Sequence, residues 1–244
     1  MLKVITWYWQ GESWRQCYTP AHVNALQRMV KANLKIPHEF ICITDKPEGM
    51  ECRTVDFFSQ HKVTIPIPNY PNSYRRIRAF SEEAKQVIGE QFVSLDLDAV
   101  ITGDITPLFD RHEAFVILQG EACHYNGSLW MHTAGTRTKL WTEFNPDSSP
   151  FIAMNGVNAN GTRFYGSDQA WISYTLGDGE ATWPVGPESG VYQYSKLTQT
   201  DIPNDARIVF FAGETKPWTL NPLPSLRHIY NQYLYSGTPP WRLP

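Results

Sequence analysis

The first half of the chain alternates two hydrophobic periods. Residues 4–9 form a β-branched and aromatic run, and Pro20 then opens a stretch where Val23, Leu26, Met29, Val30 and Leu34 recur at the spacing of one helix face. Residues 40–44 make a short apolar strand, closed by the turn-like Asp45-Lys46-Pro47-Glu48-Gly49. A proline loop at 66–71 precedes a second helical stretch at 73–88, with Gly89 where a C-cap glycine would sit. Residues 91–95 then form a compact buried strand that runs into Asp96-Leu97-Asp98. Strand, helix, strand, helix, strand predicts an α/β open sheet, largely parallel. Ligands of such sheets bind beyond the carboxyl ends of the strands, where Asp96 and Asp98 would lie.

The second half is less regular. Residues 115–119 and 128–132 read as strands, 136–144 and 167–176 as helices, and 208–212 as a further strand before a loop at 213–218. Beyond 221 the chain is rich in Pro and Tyr, with one helical stretch at 226–233. No repeat, linker or low-complexity tract interrupts it, so one domain over 1–220 is expected, with 221–244 as a tail packed on it.

Composition narrows the function classes. At 244 residues, with 42% hydrophobic and 18% charged positions, the chain can bury a substantial core. A net charge of −3 offers no basic field for nucleic acid or an anionic membrane. The aromatic share, 14% with nine Trp, exceeds what a core needs and suits stacking on bases and sugars. Cys17, Cys42, Cys52 and Cys123 show no C-x-x-C pair and read as reduced structural thiols. Residues 1–9 read as a strand and not a leader peptide, and no apolar run is long enough to span a membrane. A cytoplasmic protein is expected.

Two carboxylates one residue apart at a strand end can hold one hard cation while leaving positions open for phosphate oxygens. Such a cation would neutralise the charge that develops on a nucleoside diphosphate leaving group. The pair is equally readable as a turn residue and a helix cap, and Asp-X-Asp alone does not decide between these.

Four short segments do more. FVSLDLDAVITGDITPLFD (92–110) resembles the metal-binding segment of glycosyltransferase family 8, the group of glycogenin and bacterial lipopolysaccharide galactosyltransferases. HYNGSLWMH (124–132) looks like that family's Asn-containing strand, GSDQAWIS (166–173) like its Asp-Gln segment, and FFAGETKPW (210–218) like its Lys-Pro-Trp loop, all in the family's order. VNALQRMVKANLKIPHEFICITD (23–45) resembles the opening of a bacterial subgroup, so the likeness spans roughly residues 1–220.

The resemblance implies a single-domain GT-A fold, a Rossmann-like mixed sheet flanked by helices. It implies transfer of a sugar from a nucleotide-sugar donor, typically a UDP-sugar with Mn²⁺ or Mg²⁺, to a glycan, lipid-glycan or protein acceptor, with retention at the anomeric carbon. By that carry-over Asp96 and Asp98 hold the metal, and Asp96 also meets the donor. Lys216 pairs with the diphosphate, Gly213 lets backbone approach it, and Arg76 supplies a basic group before the Asp-X-Asp strand. Asn126, Asp168 and Gln169 line the sugar side, with Asp168 or Gln169 beside the anomeric carbon. Thr6, at the end of the first strand, is a candidate contact for the base, and Trp7, Trp9 and Trp14 are candidates to stack on it. One departure stands out. Where relatives carry a metal-binding His, this chain has Phe210, and Ala212 fills the other position used in the subgroup. His228 is the remaining candidate imidazole.

Three functions follow in order: the transferase; a nucleotide-sugar or glycan binder that has lost turnover with its third ligand; and a nucleotidyltransferase or phosphohydrolase on the same aspartates, for which no P-loop signature speaks. Structural alternatives accompany each residue. Arg75, Arg76 and Arg78 could be a solvated helix face, Asp168 a helix-start residue, and Lys216-Pro217-Trp218 a turn with Trp packed inward. His124 and His132 read as structural.

Overall fold

Leu2–Trp7 extends as β1 because branched and aromatic side chains fill both faces of a covered sheet. Val4 joins the packing cluster on one face, Ile5 and Trp7 the cluster on the other, as strand alternation requires. The computed structural model describes residues 1–9, 18–57, 73–165, 168–197, 201–219 and 223–236. The loop at 66–71, together with Trp14 and Cys17, lies outside them, as do Gly166, Ser167 and the last eight residues.

Helix α1 (Pro20–Asn33) buries Val23, Leu26, Met29 and Val30, the face its periodicity predicts. It starts at Thr19, whose amide donates to His22 Nδ1 at 2.8 Å, with Pro20 preset for the first turn. β2 (His38–Ile43) and β3 (Arg53–Val55) follow, and β4 (Gln91–Leu95) runs into the acidic turn before β5 (Ala99–Ile101). β6 (Phe115–Gln119) and β7 (Tyr125–Thr133) precede helices α3 (Lys139–Thr142), α4 (Ser149–Ala153) and α5 (Asp168–Leu176). β8 (Ala181–Trp183), β9 (Val191–Gln193), β10 (Ile208–Phe210) and α6 (Pro224–Leu234) complete the described chain. Of the tail expected at 221–244, α6 packs on α1 through buried Leu226 and Tyr230.

Among the described residues, one sheet has seven strands in the order β3-β2-β1-β4-β7-β6-β8, and β5-β10-β9 form a second. β1 to β4 are parallel where they pair, as the sequence pattern predicts. β7 departs from that pattern, running antiparallel to both β4 and β6. Its link from β6 is residues 120–124, too short for the crossover a parallel pair needs. Gly120 makes that link possible: a Cβ there would lie 2.6 Å from the Tyr125 backbone.

The single helix expected at 73–88 is two pieces, a 3₁₀ helix (Ser73–Phe80) and α2 (Ala84–Val87). The 3₁₀ piece is covered by the sheet cluster and by α3 and α5, so it buries Tyr74, Arg76, Ile77, Arg78 and Phe80 together. No helix with one solvated face could do so. Arg78 is therefore not a surface residue: it donates to the Phe57 carbonyl at 2.8 Å and pairs with Glu83. The helix expected at 136–144 shortens to α3. Cys42, Cys52 and Cys123 are free thiols, and burial pushes the Cys123 thiol up to about 11. Among the described residues no helix is long and apolar enough to cross a membrane.

His132 sits wholly inside the second cluster, with ring centroids 4.8 Å from Phe80 and 5.5 Å from Phe92. Burial, helped by the Arg137 charge, lowers its pKa to about 3. The folded state holds it neutral, so its contribution is complete above the ordinary histidine value and falls as pH drops from about 6.5 towards 3. Stability should fall by up to about 1.4 kcal/mol per pH unit from this group alone. A His132→Leu variant should show a shallower acid slope in urea unfolding between pH 6.5 and 4; an unchanged slope would remove His132 as the cause.

Candidate active site

The strand order reverses between β1 and β4, and the acidic turn lies at that switch point. The turn is tied to both sheets: the Asp96 amide donates to the Ser128 carbonyl at 3.0 Å, and the Asp98 carbonyl accepts from the Phe211 amide at 3.3 Å. Buried Leu97 fills the core between them, so the two carboxylates leave the turn toward different partners.

Asp96 turns to Arg76, whose Nη1 donates to its Oδ1. The same guanidinium grips Asp168, with Nη2 2.9 Å from Oδ1 and Nε 2.7 Å from Oδ2. Such two-pronged pairing fixes both position and orientation. Arg76 is only 7% exposed. Burial works against its charge, but Asp168 and Asp96 outweigh it and raise its pKa above the ordinary arginine value. Asp168 opens α5, where the helix dipole also favours a carboxylate. Gly127 on β7 makes room for the clamp: a Cβ there would lie 2.7 Å from Arg76 Nη2 and 3.2 Å from Asp168 Oδ2.

Asp98 turns the other way. Its Oδ2 accepts from Lys216 Nζ at 2.5 Å and from the Tyr18 hydroxyl at 3.0 Å. Burial pushes the Asp98 pKa upward, while Lys216 pulls it back. Lys216 also lies 5.7 Å from the centre of the Tyr18 ring. Its loop is anchored by Trp218, which stacks on His22 at 4.0 Å and meets Tyr18 edge-on at 5.5 Å. Gly213 in that loop has φ +71° and open space where a Cβ would be.

Among the described residues three carboxylates and two cations thus share the site, leaving one net negative charge. Both partners of Asp98 use Oδ2 and the partner of Asp96 uses Oδ1. Asp98 Oδ1 and Asp96 Oδ2 accept no hydrogen bond from any described residue. That donor set fits one hard cation bound mostly by water and ligand oxygens, as Mg²⁺ tolerates. No group of three metal-binding side chains occurs among the described residues. Phe210 is buried apolar core, Ala212 is exposed, and His228 lies exposed on α6 with Nε2 3.0 Å from the Gln232 amide nitrogen.

Of the other expected site residues, Gln169 stands beside the clamp. Its Nε2 donates to the Tyr165 carbonyl at 3.0 Å and its Oε1 accepts from the Gly127 amide at 3.4 Å. Asn126 is half-buried on β7, with Oδ1 accepting from the Ser128 amide at 2.8 Å. Thr6 is fully buried, and its hydroxyl donates to the Leu95 carbonyl at 2.8 Å, so its side chain ties β1 to β4 in place of facing the cleft. Trp7 does likewise through Ser94, whereas Arg75 lies 5.5 Å from the Trp9 ring. Tyr18 and Gly127 escaped the sequence analysis. Asn-Gly inside a strand pattern is a signal of close backbone approach that could have flagged Gly127; nothing local marks Tyr18.

No family model matches the chain, and no curated protein matches it in sequence. Solved structures do match. Galactosyltransferase LgtC in complex with donor and acceptor sugar analogues aligns with a TM-score of 0.57 at 12% identity, over 97% of this chain and 96% of that one. The bifunctional glycosyltransferase WbbM in its apo form aligns at 0.61 with 10% identity, over 98% of this chain and 50% of that one. The glycosyltransferase GlyE of Streptococcus pneumoniae TIGR4 gives 0.56 and 13%, over 96% and 61%. The chain has a GT-A glycosyltransferase fold. At such low identity the likeness concerns the fold. Within this GT-A sheet, the acidic turn, the Arg76 clamp and the Lys216 loop meet at the carboxyl end of β4.

Proposed function

We propose that the protein is a glycosyltransferase of the family 8 type, moving a sugar from a UDP-sugar to a glycan, lipid-glycan or protein acceptor with retention at the anomeric carbon. The observation that carries this is the contact between Asp98 and Lys216, 118 positions apart in sequence, beside the Arg76 clamp on Asp96. A carboxylate pair with free oxygens, set against a buried ammonium, is what a diphosphate leaving group requires.

Asp96 and Asp98 would hold a divalent cation, Mn²⁺ or Mg²⁺, whose charge would offset that of the diphosphate. Lys216 presents a second positive charge to the same oxygens, and Gly213 keeps its loop free of side-chain bulk there. Arg76 holds Asp96 and Asp168 still, so neither carboxylate reorganises as charge develops. Asp168 is 2% exposed with both oxygens against Arg76, which supports a positioning role. Gln169 is the more open neighbour and is the group proposed to face the anomeric carbon. LgtC, whose solved forms include an active-site glutamine-to-glutamate variant, offers a parallel. Asn126 would meet donor hydroxyls.

Calorimetry with UDP tests this. Binding is expected only with Mn²⁺ or Mg²⁺ present, and Asp98→Asn should weaken it about tenfold or more, roughly 1.4 kcal/mol. UDP release from a panel of UDP-sugars then separates transfer from inert binding. No binding of UDP with either metal ends the proposal; binding without any release leaves the non-catalytic binder, which the missing imidazole at Phe210 would explain.

A further inference from the structure

A cavity of about 660 Å³ opens beside the proposed site, within the size range of small-ligand pockets. Its walls come from the β6–β7 turn, the loop at 158–160, the segment after α5, and Lys196. Two links join it to the site. Tyr125 lines the cavity and Gly127 touches the Arg76 clamp; two residues apart on β7, they share a face about 7 Å from each other. In addition, Cys123 of the cavity wall and Gln169 both donate to the Tyr165 carbonyl, each at 3.0 Å.

The cavity's charge is largely cancelled from within. Lys196 pairs with Glu121 at 3.0 Å, and Glu180 is gripped by Arg137 at 2.7 and 3.0 Å. Among the described lining residues no Lys or Arg is left over for a phosphate or carboxylate ligand, and the exposed Asp178 carboxylate repels one. What remains uncommitted is hydrogen-bonding capacity of both senses: Asp178 accepts, the Thr182 hydroxyl and Asn160 amide donate and accept, and the His124 imidazole does either by tautomer. None of these side chains hydrogen-bonds to another described residue. Vicinal hydroxyls, each a donor and an acceptor, match that lining. Tyr165, 58% exposed between the cavity wall and Gln169, adds an aromatic surface of the kind that packs on sugar rings.

We infer that this cavity binds an uncharged sugar unit of the acceptor, next to the unit that receives the transferred sugar. The inference rests on the transferase reading for the word acceptor, and on the cavity alone for the ligand class. It implies an acceptor of at least two sugar units.

The test uses the full chain, with lactose, maltose, cellobiose and chitobiose as neutral probes and a glucuronic-acid disaccharide as the anionic control, followed by saturation-transfer NMR. Asp178 and Asn160 are exposed, so Asp178→Lys and Asn160→Trp should fold; thermal unfolding and UDP affinity check this. At least one neutral probe should bind, the anionic control should not, and both variants should weaken the probe about tenfold, the equivalent of one hydrogen-bonded group. UDP affinity should be unchanged. Silence from all neutral probes, equal binding of the anionic control, or variants within about twofold of wild type would each overturn the cavity assignment. Loss of probe binding in the variants of a protein that never binds UDP would instead support the saccharide site and end the transferase reading.

Discussion

An Arg76→Met variant is expected to lose about 3–5 kcal/mol of unfolding free energy, because removing one partner of a buried ion pair strands the other. The stranded groups here are two. Asp168 has a side chain only 3% exposed, whereas Asp96 at 29% recovers some hydration, which favours the lower half of that range. Methionine fills much of the vacated volume, so the loss reports charge more than cavity. A second replacement, Asp168→Leu, should restore part of the stability by removing the worst-stranded carboxylate. Urea unfolding of the two variants checks both statements. A single-variant loss below about 1 kcal/mol would mean that water reaches the clamp and that it does not hold the site rigid.

On the proposed transferase function, Lys216→Ala should lower kcat for UDP-sugar turnover by roughly 10²–10³-fold, the usual consequence of losing one group aimed at developing charge. Lys216 also neutralises Asp98, so this variant leaves a buried carboxylate with Tyr18 as its remaining hydrogen-bond partner among the described residues. Folding and chemistry must therefore be separated. In the double variant Lys216→Ala with Asp98→Asn, the charge imbalance is gone and stability should return; Asp98 is itself a proposed metal holder, so this variant reports on the fold alone. A Lys216→Ala single variant that loses stability yet keeps kcat within about twofold of wild type would show that Lys216 serves the fold and not the leaving group. Lys216→Arg keeps the charge but not the compact ammonium, and should fall between the two.

Much of this site was legible before any coordinates. The run from Phe92 to Leu95 ahead of Asp96-Leu97-Asp98 announces a buried strand ending in carboxylates, and α1 and α5 follow from their spacing and their helix-start residues. Other elements carry no readable signal. β5, β8 and β9 are three residues each, too short for a period of two to show. The helix expected at 73–88 failed for a related reason. Its arginines read as polar, and only the presence of Asp96, Asp168, Glu83 and the Phe57 carbonyl makes burying Arg76 and Arg78 favourable.

Local pattern reports which face of an element is apolar, because that depends only on side-chain spacing along the chain. It therefore determined the parallel half of the sheet, the position of the acidic turn and the chemistry available there. Which charge meets which is set by register between strands and by loop paths across tens of residues. Arg76 and Asp168 are 92 positions apart, and Tyr18 and Asp98 are 80. The tertiary structure alone decided those pairings, the antiparallel turn of β7 that lets Gly127 admit the clamp, and the cavity beside it. Packing and electrostatics between distant segments act only once the sheet has brought them together.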